Sequence, residues 1–286
     1  MTERALHSGE LWARIDPESG GAITSVGDDR GNVLMPEFTA PGSDSFRVSG
    51  WQTMFPNAGD SGRYLSVHHP AHGTAFHGSW TLGPASSTTA TLSFANEGTP
   101  LSIAREVAVD GASREVTVSD TISNGSDRAI DFQYGHHVVF AATESSIIHL
   151  PQSGLSQASL GDFTSDPRAG LRVADVLAGG PEALAALLVP GEAFLEDPVA
   201  NRSIRMTWSA DLMPALWVWV VRWGATCAVG LEPVTSAHFL GLAHAVLAGD
   251  AASILPHSDR CAWLRLRLAT ARDVRRLTTT PSGDSL

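Results

Sequence analysis

The sequence contains no lysine; all 19 of its Lys+Arg residues are arginine. Schiff-base enzymes, pyridoxal-phosphate enzymes and P-loop NTPases each need a lysine amine at a fixed place, so all three classes are excluded. Cysteine is nearly as scarce. Cys227 and Cys261 each stand in or beside an apolar strand-like run, which rules out a disulfide framework or a four-cysteine zinc site and predicts two reduced, buried thiols. Positive charge is also short: 19 basic against 30 acidic side chains leave a net charge of −11. That balance opposes a phosphate-tracking surface, so neither nucleic acid nor an anionic membrane is expected as a partner. Long apolar runs are missing as well. The most apolar stretch, Leu212 to Leu231, is broken by Pro214 and Arg222, and the opening Met1 to Ala5 leads into no apolar h-region. The expectation is a protein without membrane span or leader, residing in the cytoplasm.

What is present is enough apolar material for a sizeable core, with 43% hydrophobic against 17% charged residues over 286 positions. Apolar residues mostly recur with period two. Val116, Val118 and Ile122 share one face of a strand, interrupted only by Asp120, while Glu115, Thr117, Ser119 and Thr121 share the other. The run Leu101 to Val109 joins that strand across Asp110-Gly111-Ala112-Ser113, which reads as a hairpin turn. Ala262, Leu264, Leu266 and Leu268 alternate with Trp263, Arg265 and Arg267 in the same way. Further strands are expected at Leu11 to Ile15, Ala22 to Val26, Thr89 to Phe94, Ile130 to Tyr134, Ser203 to Trp208 and Leu216 to Val221. Helical periodicity is confined to Pro181 to Leu188 and Ala237 to Leu247. Sheet therefore dominates. The pattern predicts one all-β domain of packed antiparallel sheets over residues 1–277, with a frayed tail at 278–286.

Histidine is the residue type that bears on chemistry. Two clusters hold six of the eleven: His68, His69, His72 and His77, then the adjacent His136 and His137. Imidazole, with an ordinary pKa of ~6.5, suits both proton transfer and metal binding. A metal site needs three converging ligands, yet no His-Glu-x-x-His helix or Cys-x-x-Cys pair occurs, and His136 and His137 as strand neighbours point to opposite faces. Nucleophile elbows and dinucleotide cradles are missing too. Proton transfer between histidine and a carboxylate remains. Glu232, in Val229-Gly230-Leu231-Glu232-Pro233, puts a charge at the end of an apolar strand, where burial demands a partner or a function. Trp217 and Trp219 share one strand face, where such residues are usually core, although a sugar-stacking platform would look the same.

Four segments in order resemble the aldose 1-epimerase, or galactose mutarotase-like, superfamily. They are the opening Leu11 to Ile23; Pro56-Asn57 with His72-Gly73 and Trp80; Tyr134-Gly135-His136-His137-Val138-Val139-Phe140; and Leu231-Glu232-Pro233-Val234-Thr235. The resemblance implies a β-supersandwich with the sugar site on one sheet face. It implies Glu232 as general base on the anomeric hydroxyl, His137 as the acid toward the ring oxygen, His72 as a hydrogen-bonding group near them, and Asn57 as a shaper of the pocket. It implies a small-molecule sugar substrate, a neutral hexose or a related sugar, with no cofactor and no metal. The chain departs from better-known mutarotases at Ala58, where they carry an arginine, and no residue matches their sugar-gripping aspartate. Two alternatives stay open: a noncatalytic carbohydrate-binding protein on the same fold, and a histidine-rich metalloenzyme.

Overall fold

A computed structural model of the chain describes residues 3–39, 47–48, 50–151, 156–161, 163, 170–224 and 226–269. The tail at 278–286 lies outside the described residues.

Period-two patterning organises the fold. In the strand Leu101–Asp110, residues Leu101, Ile103, Arg105, Val107 and Val109 are buried, and the positions between them face outward. The partner strand Glu115–Asn124 buries Val116, Val118, Asp120, Ile122 and Asn124. The register sets Val107 opposite Val118 and Arg105 opposite Asp120. The polar residue that interrupts one apolar face is thereby matched by the polar residue that interrupts the other.

Two large antiparallel sheets result. The first runs in the order Arg4–Ser8, Leu11–Asp16, Ala22–Asp28, Trp51–Met54, Gly135–Ala142, Thr226–Val234, Ala215–Trp223, Glu182–Leu188 and Ser156–Gly161, with Gly31–Asn32 paired beside Ala22–Asp28. The second runs Thr81–Ala85, Thr89–Ala95, Leu101–Asp110, Glu115–Asn124, Asp259–Ala269, Arg202–Trp208, Glu192–Asp197, Ile147–His149 and Leu171–Arg172. Their facing sides share one apolar core, in which Val138, Phe140, Val218, Val229 and Leu231 of the first sheet join Val107, Val118, Leu264 and Leu266 of the second. Each such side chain contributes about 1.5–3 kcal/mol through burial. The architecture is the all-β sandwich that the alternation predicts. No helix among the described residues is long and apolar enough to cross a membrane.

Three local expectations are corrected. Pro181 to Leu188 is not helical; it contains the strand Glu182–Leu188. Ala183 and Leu187 face the sandwich core, while Leu184 and Ala186 pack on the other side of the sheet. A strand apolar on both faces carries no period-two signal. Of Ala237 to Leu247, only Leu242–Leu247 is helical. Cys261 is exposed, because it pairs with Thr121 on the outward face of its strand, whereas Cys227 is buried.

A buried polar chain crosses the sandwich. Arg105 donates to Asp120 through Nε at 2.8 Å and NH2 at 2.6 Å, and to Thr53 Oγ1 at 2.6 Å. The Tyr134 hydroxyl donates to Asp120 Oδ2 at 2.6 Å, and the Trp51 indole donates to His136 Nδ1 at 3.0 Å. With Nδ1 accepting, Nε2 of His136 carries the hydrogen and donates to the Tyr134 oxygen at 2.8 Å. Burial pushes His136 down to about 3, so the ring is neutral.

Candidate active site

The far face of the first sheet, away from the sandwich core, carries the residues with chemistry. Gly135 pairs with Val234 and Val138 with Leu231, a register that sets His137 directly across from Glu232. His137 also pairs with Gln52, and Glu232 with Trp217. One row, Gln52, His137, Glu232 and Trp217, thus crosses four strands on a single face. Opposed residues in such a row have Cβ atoms roughly 4.5–5.5 Å apart, which lets side chains meet. Two small apolar clusters flank the row. One contains Met54, Phe76, Trp217 and Val234; the other contains Met35, Phe38, Val139 and Trp219.

His137 Nε2 lies 3.4 Å from Glu232 Oε1, and both side chains are 4% exposed. Burial penalises charge on each. It pushes Glu232 up to about 8 and His137 down to about 4. Burial therefore favours the uncharged form of each, a protonated carboxyl group and a neutral imidazole. No described cation stands close enough to Glu232 to offset its burial. His137 Nδ1 is buried and has no hydrogen-bond partner among the described residues. Such an atom costs about 1–3 kcal/mol unless something else satisfies it. Gly230 makes room for the carboxylate: a Cβ there would lie 2.6 Å from Glu232 Oε1 and 3.2 Å from Trp219 Cβ.

His72 reaches the pair from a loop. Its ring centroid is 5.2 Å from that of His137 and 5.0 Å from that of Phe76. The loop holds His72 at φ 59°, a left-handed conformation that costs a residue with a Cβ roughly 1–3 kcal/mol. Backbone bonds from Phe55 N to His72 O and from His72 N to Gly59 O fix it there. Gly73 follows at φ +80°, where a Cβ would fall 2.2 Å from Phe55 O. The Gly59 amide donates to His72 Nδ1 at 3.1 Å, which assigns the hydrogen to Nε2. Burial, then His137 and His77, hold His72 well below the usual histidine range.

Asn57 is 1% exposed and spends its amide on the backbone: Nδ2 donates to Asp60 O at 2.9 Å and Pro70 O at 3.1 Å, and Oδ1 accepts from Leu242 N at 2.7 Å. It ties loops together. Trp217 is 2% exposed, packs edge-on against Phe239 and donates to Ser236 O at 3.0 Å, so its faces are occupied as core. Trp219 lies 6.1 Å from the His137 ring, stacks on Phe38 and donates to Glu182 Oε1 at 2.7 Å. The remaining histidines diverge: His68 and His77 are exposed, His69 is buried elsewhere and His136 faces the core. Among the described residues, no three of His, Cys, Asp and Glu converge in a way that could hold a metal ion.

Sequence reasoning overlooked Gln52, Phe76, Glu182 and Gly230. Gln52 carried no alternation signal, since Trp51-Gln52-Thr53-Met54 puts one polar and one apolar residue on each face and the whole strand is buried. Phe76 and Glu182 reach the site only through tertiary packing.

The fold is the galactose mutarotase-like one. No protein-family model and no curated protein sequence matches the chain. Solved structures do. The Slr1438 protein of Synechocystis sp. PCC 6803 is similar with a TM-score of 0.75 and 19% identity, over 94% of this chain and 96% of that one. A galactose mutarotase-like protein from Lactobacillus casei gives a TM-score of 0.73 and 17% identity, over 94% and 100%. A candidate aldose 1-epimerase from Escherichia coli K12 gives 0.72 and 16%, over 94% and 99%.

Proposed function

We propose that the protein is a cofactor-independent aldose 1-epimerase that interconverts the α and β anomers of a neutral hexose or related sugar. The observation that carries this reading is the buried His137–Glu232 pair, an imidazole nitrogen 3.4 Å from a carboxylate oxygen with both side chains 4% exposed. Anomer exchange asks for that combination. A base takes the proton of the C1 hydroxyl while an acid protonates the ring oxygen; the bond between C1 and the ring oxygen breaks to give the open aldehyde. Rotation about C1–C2 presents the other carbonyl face, and reversal of the two proton transfers recloses the ring. The pair ends as it began.

Sugar hydroxyls donating to Glu232 favour its ionised form. The proton then moves to His137, giving Glu232 as base and His137 as acid. His72, with its hydrogen on Nε2, offers a neutral donor beside them. The aromatic and uncharged surroundings of the pair, in which no described cation faces Glu232, suit a neutral sugar better than a sugar phosphate.

Polarimetry or exchange NMR on fresh α-anomers of glucose, galactose, mannose and xylose tests the reading. Accelerated interconversion is expected, falling by ~10²-fold or more in His137→Asn and in Glu232→Gln. A folded wild-type protein inert toward the whole panel would end it; saturable sugar binding without turnover would select a noncatalytic carbohydrate-binding role.

A further inference from the structure

A cavity of about 170 Å³ opens beside the loop that carries His72 and is lined by neither His72, His137 nor Glu232. Its wall includes Asn57, Ser61, Tyr64, His69, Leu240 and Ala243. It is smaller than the ~300–1,000 Å³ clefts that take drug-sized ligands, so its scale is that of a single ring.

His69 is the telling residue. It is 4% exposed and lines the cavity. Its ring nitrogens are not sealed off in the way that Nδ1 of His137 is, so water reaches them and a ligand can take its place. Burial holds the ring neutral, leaving one N–H donor and one lone-pair acceptor. Tyr64 adds an acceptor, since its hydroxyl gives its hydrogen to Asp131 Oδ2 at 2.6 Å. Arg63, the one cation in the wall, donates to Ser66 O at 3.3 Å, and no carboxylate lines the space. Donors and acceptors therefore mix without a dominant charge, over a floor made apolar by Leu240, Leu242 and Ala243. Hydroxyl groups on a ring with an apolar C–H face match that lining.

We propose that this cavity is an accessory binding site for one uncharged sugar ring, held by His69 and Tyr64. Its wall is coupled to the candidate active site. Asn57 ties Asp60, Pro70 and Leu242 together, and the same loop supplies the Gly59 amide to His72. An occupant braces the segment that sets His72. The proposal concerns binding alone and stands whether or not the protein turns sugars over.

The chain has two tyrosines, Tyr64 at the cavity and Tyr134 fully buried in the core, so 3-fluorotyrosine labelling gives two ¹⁹F resonances, assigned with Tyr64→Phe. Methyl α-D-glucopyranoside and methyl α-D-galactopyranoside serve as probes because they cannot mutarotate. At least one should shift the Tyr64 resonance, and not that of Tyr134, with a Kd on the order of 10 mM. The shift should persist in Glu232→Gln and vanish in Ala243→Trp, which fills the cavity from a half-buried helical position, and in His69→Phe. A Tyr64 signal unmoved by both glycosides up to ~100 mM would overturn the site. So would a response to inorganic phosphate alone, a shift that survives Ala243→Trp, or one lost in Glu232→Gln.

Discussion

The burial of the His137–Glu232 pair makes a specific demand on pH dependence. Ordinary glutamate and histidine, at ~4.3 and ~6.5, would hold one proton between them only over about two pH units, and the active state would be failing by neutrality. Burial spreads the limits: Glu232 is pushed up to about 8 and His137 down to about 4. Above the upper limit the pair has lost its only proton and has no acid. Below the lower limit it carries two and has no base. The limits belong to the pair rather than to either residue. The profile of kcat/KM, which reports the free enzyme, should therefore be flat from about pH 5 to 7 and should fall only about twofold between pH 6 and pH 8. Exposed, unperturbed groups would instead give a loss of about thirtyfold over that interval. Polarimetry of a fresh α-anomer, with the spontaneous rate subtracted at each pH, separates the two. A descending limb centred near pH 6.5 would refute the claim that desolvation governs this pair.

The same shifts act on stability. Between pH 6.5 and 8 folded Glu232 holds a proton that the unfolded chain has released, so stability declines with rising pH, by about 2 kcal/mol across that window. Between about pH 4.5 and 6.5 the depressed His137 works in the opposite sense and the two offset. Urea unfolding should show Glu232→Gln gaining on wild type from pH 6.5 to 8, and parallel curves would contradict this. Gly230→Ala places a methyl group against the flexible end of Glu232, so turnover should fall about tenfold or more while stability changes by less than about 1 kcal/mol; an unchanged rate would show that the carboxylate position is not critical. Gly73→Ala, by contrast, meets backbone at a left-handed φ and should lose at least about 2 kcal/mol in denaturant unfolding. Asp120→Ala leaves Arg105, 2% exposed, with its charge buried and unpaired; a loss of about 3–5 kcal/mol is expected, and a near-neutral result would mean that water reaches it.

The sandwich was legible because antiparallel strands with one buried face carry their orientation in every second residue. Asp120 shows how far that goes. It reads as a flaw in an apolar face, and the structure explains it through a register no single strand contains, since Arg105 is the matching flaw opposite. Glu182–Leu188 shows the limit: with both faces covered, alternation disappears and the alanine-rich segment mimics a helix. Cys261 misled for a related reason, as an apolar neighbourhood in sequence says nothing about which face its own position takes.

His136 and His137 separate what a sequence can and cannot settle about a site. Alternation places them on opposite faces but does not say which face does chemistry; only the resemblance favoured His137. The hydrogen bonds supply a physical criterion. His136 has both nitrogens occupied, by Trp51 and Tyr134, within a chain anchored on the Arg105–Asp120 ion pair, and so can neither bind a ligand nor exchange a proton without breaking the core. His137 has one nitrogen against a carboxyl group whose protonated form burial favours, and the other buried without a partner among the described residues. The strand that joins them holds its structural imidazole rigid and leaves its neighbour unsatisfied. That contrast arises from strands brought together although His137 and Glu232 stand 95 positions apart, and the desolvation that disfavours charge on both exists only after folding.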